Sequence, residues 1–330
     1  MRRVKVYGTL GPSCRAREIL EQMLREGMDG IRLNLSHTTL SESSELIDAY
    51  HSAALGCGVR PELLIDLQGP ELRVGALSAP LPLTEGESYS LEDIPFPGEL
   101  REILPTLPTG QEVLLDDGRL LLVMDVASAK PGIRLRVIRG GLLESRKSVA
   151  LPGCLIHTPA LTERDRDQIR QAKSYGVTAV MQPFVRNRED LLEVRQALDR
   201  AGCEELRLLA KVENRSGIER LDELLPHCDE IVIARGDLGN SMELWELPAV
   251  QKRIARVCRD AGRGFMVVTQ MLDSMIYRPV PTRAEVSDIF NAVLDGAASV
   301  MVTGETAVGE HPVQVIRFLS QTVRQAEAFQ

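Results

Sequence analysis

The chain is 330 residues long, 44% hydrophobic and 26% charged, enough to bury a large core and to form one large domain with a smaller one. With 39 Lys and Arg against 47 Asp and Glu its net charge is −8, which excludes general attraction to nucleic acid or to an anionic membrane surface, so an anionic substrate must be met by a local cluster of cations. No apolar run approaches the roughly 18 residues of a membrane span, and Met1–Val6 reads as the approach to a strand rather than a signal sequence. Cys14, Cys57, Cys154, Cys203, Cys228 and Cys258 show neither paired nor zinc-like spacing. A cytoplasmic protein with reduced thiols is expected.

The apolar run ending at Gly8-Thr9 predicts a first strand, Arg17–Glu26 a helix and Gly30–Ser36 a second strand. Ser41–Leu55 predicts another helix and Leu63–Asp66 a third strand. From 75 to 146 the period changes: short β-like runs, prolines and turn signals such as Asp116-Asp117-Gly118 predict an inserted small β domain. After Leu161, where Thr162 is a good N-cap, strand and helix alternate again. The later strands are expected at Thr178–Phe184, Leu206–Lys211, Glu230–Ala234, Gly264–Thr269 and Ala298–Thr303. Between them Val250, Ile254, Val257 and Ala261 recur with the spacing of one helical face. Eight such units predict an α/β fold: a (β/α)8 barrel over 1–74 and 147–330, interrupted after its third strand by the insertion at 75–146. A doubly wound open sheet is the alternative that periodicity alone leaves open.

In a parallel barrel chemistry is done where the strands end. Alternation puts Arg32, Asn34 and Ser36 on one face of the second strand and Leu33 and Leu35 on the other. With the nearby carboxylate of Asp66 these groups suit a hard cation of low charge, or form an internally hydrogen-bonded polar layer. Arg73, after the Gly69-Pro70 turn, stands at the hinge to the insertion, where it grips a phosphate or braces the hinge. Lys211 and Glu213 point to the same side of their strand, and with Asp237 they make a divalent metal plausible.

Eleven motifs then stand in the order of known signatures: Thr9-Leu10-Gly11-Pro12-Ser13, Arg32–His37, Asp66–Arg73, Ser145-Arg146-Lys147, Leu151-Pro152-Gly153, Lys211–Asn214, Ala234–Gly239, Thr269–Met275, Pro281–Glu285, Asn291–Gly296 and Gly304-Glu305-Thr306. On these the chain resembles the pyruvate kinase family over essentially its whole length. The resemblance implies a (β/α)8 TIM barrel with a small β-barrel lid, and phosphoryl transfer from phosphoenolpyruvate to ADP, giving pyruvate and ATP. It implies Mg²⁺ (or Mn²⁺) on Glu213 and Asp237, and K⁺ on Asn34, Ser36, Asp66 and the carbonyl of Leu67, with Glu71 resembling the potassium-dependent members. By the same resemblance Lys211 stabilises charge on the moving phosphoryl group and the enolate oxygen, and Arg32 and Arg73 bind phosphate. Pro12, Asn34, His37 and Lys147 fall, with Arg32 and Arg73, among the nucleotide contacts. Thr269 and Thr303 fall where hydroxyls deliver a proton to the enolate. Ala234, Gly236 and Asp237 join Arg32, Lys211 and Thr269 in binding substrate. The plainer reading of Ala234–Asp237 is a turn glycine with a capping aspartate.

Several positions depart from the family pattern. Leu67-Gln68 replaces Thr-Lys, Pro183 a serine, Ser148 and Ala150 a glycine and an asparagine, Thr303 the usual serine and Val308 a lysine. The largest departure is Asn240–Trp245, where the family carries a Glu-Ile-Pro segment. The resemblance ends without the family's C-terminal domain, so its sugar-phosphate regulatory site is expected to be absent. Two other functions compete: a divergent metal-dependent lyase or decarboxylase of a 2-oxo acid, and a phosphoenolpyruvate-binding protein without turnover. The partners implied are phosphoenolpyruvate or pyruvate and ADP or ATP, with no nucleic acid and no membrane; a homo-oligomer is compatible with all three.

Overall fold

The computed structural model describes residues 3–116, 118–125, 133–154 and 159–330. Met1, Arg2 and Asp117, each part of a segment read above, lie outside the described residues. The chain divides into two compact units, Met1–Pro70 with Pro159–Gln330, and Glu71–Thr158.

The first unit is built on eight short strands: β1 Lys5–Thr9, β2 Gly30–Asn34, β3 Glu62–Asp66, β4 Ala179–Gln182, β5 Arg207–Val212, β6 Glu230–Ala234, β7 Gly264–Val268 and β8 Ser299–Met301. They pair in parallel, each with the next and β8 with β1, closing a barrel. With helices between the strands this is a (β/α)8 TIM barrel. The alternation that makes it is visible in single strands. On β5, Leu208, Ala210 and Val212 pack outward against the helices, while Leu209 turns inward. On β6, Ile231 and Ile233 face out, and Val232 and Ala234 face in. Tyr7, Leu64, Ala179, Met181, Met266, Val268 and Met301 complete the inner apolar layer. Lys211 shares the face of Leu209, Asp66 that of Leu64, and both therefore rise from this layer toward the carboxyl ends of the strands.

A second polar layer lies at the opposite ends of the strands. Arg207 bridges Glu62 and Glu230 at 2.8 and 2.7 Å, the Tyr7 hydroxyl donates to Glu62 at 2.8 Å, and Ser299 donates to Glu230 at 2.5 Å. Lys5 also pairs with Glu62. Burial alone would raise the Glu62 carboxyl, yet Lys5 and Arg207 outweigh it and hold it low. In a barrel this end serves stability rather than chemistry.

Capping fixes where several helices begin. Thr162 and Asp165 form a capping box for the helix Glu163–Gln171, Thr282 and Glu285 another for Arg283–Leu294, and Asn187 caps Arg188–Arg200. Asp165 does more than cap, because its carboxylate also accepts from the backbone N–H groups of Gln68 and Gly69 at 2.8 and 3.1 Å. That fixes the exit of the chain from β3.

Four strand ends fall short of those expected, the eighth strand stopping at Met301 rather than Thr303. The second strand stops at Asn34, whose side-chain oxygen accepts from the Ser36 N–H at 3.2 Å and turns the chain, so Ser36 does not lie on the strand face with Arg32. The fourth and seventh strands stop before Phe184 and Thr269, which adopt left-handed conformations with φ of 53° and 79°.

The second unit has its own core, centred on Val113, Leu115, Leu122, Leu135 and Val137. Its described strands form a five-stranded antiparallel sheet, in the order 149–150, 112–115, 120–125, 134–139 and 88–90, and a two-stranded sheet of 81–83 with 141–143. Among the described residues these are open sheets rather than the closed small barrel expected. A short helix, Gly98–Ile103, was not anticipated; only Leu100 in it is buried, too little to give a periodic signal. The unit also reaches beyond 75–146. Val74 N–H donates to the Lys147 carbonyl at 2.9 Å and Val149 N–H to the Leu72 carbonyl at 2.8 Å, so the entering and leaving strands zip together. Val74, Val149 and Leu151 are then buried in this unit's core.

Candidate active site

At the carboxyl end of the barrel two cations converge on one buried carboxylate. Asp66, the last residue of β3, is 1% exposed. Arg32 on β2 approaches it at 2.7 and 2.8 Å through Nη2 and Nε, and Lys211 on β5 approaches it at 3.1 Å. Lys211 also lies 3.0 Å from Glu213. Burial alone would raise the Asp66 carboxyl, but Lys211 and Arg32 outweigh it and hold it below its ordinary value. Burial alone would lower the Lys211 ammonium, but Asp66 and Glu213 outweigh that and raise it. Lys211 is therefore a fixed cation and not a base near neutral pH.

Glu213 stands just past β5 and is buried. Its Oε2 accepts from the Phe184 N–H at 2.7 Å, and the left-handed turn at Phe184 presents that N–H. Its Oε1 lies within ion-pair distance of Lys211, yet the angles make no hydrogen bond, leaving a buried charged oxygen without a hydrogen-bond donor. Such an atom is a natural metal ligand. Asp237, in the helix Arg235–Asn240, lies near enough for its charge to act on Lys211. Among the described residues no group of three or more His, Cys, Asp and Glu side chains is arranged to hold a metal alone. The donor set fits a magnesium-like ion, which takes one or two carboxylates and completes its shell with water and substrate oxygens.

The residues read as a monovalent-cation set fall into two groups. Asn34 and Asp66 are register partners across β2 and β3, and Leu67 follows directly, its N–H donating to the Met181 carbonyl at 3.1 Å. Ser36 lies beyond them in the turn. His37 is exposed in the same turn, and Pro12 opens a short 3-10 helix after β1.

The two threonines sit on adjacent loops, Thr269 after β7 and Thr303 after β8. The Thr269 carbonyl accepts from Arg235 at 2.7 and 3.1 Å, and a Cβ on Gly236 would come 3.2 Å from the Thr269 methyl. The Thr303 N–H donates to Glu305 at 2.6 Å. Glu305 is 1% exposed, and its other oxygen accepts from the Leu272 N–H at 3.1 Å. Arg235 and Glu305 were legible as parts of motifs but not as the groups that shape this loop. Asp165 and the Phe184 N–H gave no sequence signal. Ala234 ends β6 on the inner face of the barrel. In the divergent segment beyond Asp237, Leu244 and Trp245 are 71% and 78% exposed.

Arg73 and Lys147 belong to the second unit. Arg73 pairs with Glu71 at 2.7 Å and donates to the Arg146 carbonyl at 2.9 Å. Lys147 pairs with Asp116 at 2.9 Å and Glu144 at 3.2 Å; the hydrogen bond to Asp116 is the main cause of its raised pKa.

Residues 1–316 match the family described as pyruvate kinase, barrel domain. Among curated proteins, the pyruvate kinase of Methylorubrum extorquens is 38% identical, over 99% of this chain and 69% of its own length. That of Aeropyrum pernix is 36% identical over 96% of this chain and 69% of its own, and that of Geobacillus stearothermophilus 34% identical over 99% and 57%. The chain thus spans between 57% and 69% of the length of these three relatives. With a family match over nearly its whole length and these identities, the chain belongs to the pyruvate kinase family of transferases.

Proposed function

We propose that this chain transfers a phosphoryl group from phosphoenolpyruvate to ADP, releasing pyruvate and ATP, in the cytoplasm. The observation that carries the reading is the convergence of Arg32 and Lys211 on Asp66, with Glu213 and its undonated oxygen alongside. Phosphoryl transfer between two anions needs positioned positive charge more than a nucleophile. Arg32 and Lys211 supply it on side chains locked by Asp66, so little reorganisation is needed when charge moves.

In this reading Glu213 and Asp237 hold Mg²⁺ or Mn²⁺. When bound, the ion neutralises phosphoryl and carboxylate oxygens and polarises the oxygen that becomes the enolate. Asn34, Ser36, Asp66 and the Leu67 carbonyl are assigned to K⁺. Lys211 stays protonated and stabilises charge on the moving phosphoryl group. Ala234 and Gly236 leave room for the substrate carboxylate, and Thr269 and Thr303 carry hydroxyls for protonation of the enolate carbon. Pro12, Arg32, Asn34, His37, Arg73 and Lys147 are assigned to the nucleotide. Among the described residues no helix is long and apolar enough to cross a membrane.

The test is a coupled assay of pyruvate release from phosphoenolpyruvate and ADP. Turnover that requires a divalent ion and rises with K⁺ is expected. Oxaloacetate decarboxylation without nucleotide, exceeding any kinase activity, would instead select the lyase reading motivated by the altered Asn240–Trp245 segment.

A further inference from the structure

We infer that Arg235, gripped by Asp288, is a positioning residue for the Thr269 hydroxyl; the inference rests on the role given to that hydroxyl under the proposed function. Thr269 and Gln270 leave β7 with φ of 79° and 54°. For a β-branched residue this conformation is sparsely populated, and it persists only where the surroundings over-determine it. Here they do so with charge.

Arg235 is the first residue past β6. Its Nε and Nη2 donate to the Thr269 carbonyl at 3.1 and 2.7 Å, and Nη2 also reaches the Gln270 carbonyl at 3.4 Å and the Met271 sulfur at 3.0 Å. Its Nη1 donates to Asp288 at 2.6 Å, on the helix Arg283–Leu294. The guanidinium fork therefore ties the turn after β7 to the helix that follows it. Lysine keeps the charge but lacks the planar fork that serves a carbonyl and a carboxylate at once.

The other flank of the turn is held from the short helix Gly304–Ala307, just after β8. Glu305 accepts from Leu272 N–H through one oxygen and from Thr303 N–H and Oγ1 through the other, at 3.1, 2.6 and 3.3 Å. Residues 269–272 are thus fixed at one end by Arg235 and at the other by Glu305. Both threonine hydroxyls belong to this one frame.

The step that depends on the frame is separable from phosphoryl transfer. The π electron pair of the enolate takes a proton at the methylene carbon, the charge on the enolate oxygen collapses into the carbonyl, and a hydronium ion from solvent reprotonates the donor and leaves as water. Displacing the Thr269 turn slows this protonation while leaving Arg32, Lys211 and Asp66 in place.

The test compares the wild type with Arg235→Lys and Asp288→Asn. One assay follows turnover of phosphoenolpyruvate with ADP. The other follows loss of pyruvate methyl protons to D₂O by NMR, in the presence of Mg²⁺, K⁺ and ATP. In Arg235→Lys the methyl exchange is expected to fall by about tenfold to a hundredfold, with KM for phosphoenolpyruvate little changed. Asp288→Asn is expected to fall less, and a crystal structure of Arg235→Lys is expected to show Thr269 relaxed from the left-handed region. Wild-type exchange in both variants, a KM loss as large as the exchange loss, or an unmoved Thr269 would overturn the inference. A wild-type protein that neither turns over nor exchanges would overturn the functional reading instead, and the Thr269 conformation in the variant then decides the positioning role alone. If Arg235→Lys does not fold, Asp288→Asn carries the same measurements.

Discussion

The Lys211 ammonium lies 3.1 Å from Asp66 and 3.0 Å from Glu213, one cation between two buried carboxylates at the barrel mouth. Asp66 is shared in turn with Arg32. The arrangement keeps Lys211 charged and aimed, which is what a group acting on developing negative charge requires. Replacing Lys211 with Met should lower kcat by about a hundredfold or more, with a much smaller change in KM for phosphoenolpyruvate. Steady-state kinetics check this; equal losses in both would give Lys211 a ground-state binding role.

The same pair sets a pH dependence of stability. Asp66 titrates lower in the fold than in the unfolded chain, so its contribution is present above about pH 4 and lost as pH falls through the folded value. Lys211 titrates higher, so its contribution is complete below about pH 10.4 and lost as pH rises through the folded value. Between these limits the stability difference between wild type and Asp66→Asn should be flat, and it should shrink in acid. Thermal unfolding from pH 3 to pH 9 measures it; a difference that grows in acid would contradict the assignment.

Glu213→Gln puts an amide N–H₂ where the undonated oxygen or the partner of Phe184 N–H now stands. Mn²⁺ affinity should fall by at least about tenfold while the fold survives. Asp237→Asn should behave alike. Calorimetric titration with Mn²⁺ reads the change directly, and unchanged affinity in both variants would remove the proposed metal site.

Gly11 offers a test of packing at the loop that carries Thr303. A Cβ there would meet the Ala307 carbonyl oxygen at 2.5 Å and Ala307 Cα at 2.8 Å, backbone atoms that cannot swing aside. Gly11→Ala should cost about 1–3 kcal/mol of stability. It should also lower turnover, because the displaced segment includes Glu305 and Thr303. Denaturant unfolding beside the kinetic assay separates the two effects.

Much of the barrel was legible because its strands alternate cleanly: Leu208 to Val212 and Ile231 to Ala234 declare inner and outer faces before any contact is known. Charge at strand ends pointed to Lys211, Glu213 and Asp237 for the same reason. What stayed hidden was set by partners distant in the chain. The strands were read too long at Phe184 and Thr269 because their left-handed turns are held by Glu213 and Arg235, not by local residues. Arg235 was visible in its motif, but its partner Asp288 lies 53 residues further on. Ser36 was placed on a strand because the asparagine turn that ends β2 leaves no hydrophobic signature. The zipped segments at Leu72–Val74 and Lys147–Val149 bury their apolar residues in the second unit, a pairing that leaves no local signature.

Arg73 and Lys147, the two cations of the second unit assigned to the nucleotide, give a further separation of roles. Changing either to Ala should raise KM for ADP by about tenfold or more, about the effect of one lost charged hydrogen bond, and leave KM for phosphoenolpyruvate nearly unchanged. Initial rates over a grid of both substrates decide this, and an effect confined to phosphoenolpyruvate would reassign them.

The most direct measurement of the central claim is ³¹P NMR of phosphoenolpyruvate and ADP in one tube with Mg²⁺ and K⁺, run with wild type and with Lys211→Met. The account predicts that the γ-phosphate signal of ATP grows as the phosphoenolpyruvate signal falls, at equal rates, and that the variant nearly abolishes both. Loss of phosphoenolpyruvate into inorganic phosphate, or no change with the folded wild type, would contradict it.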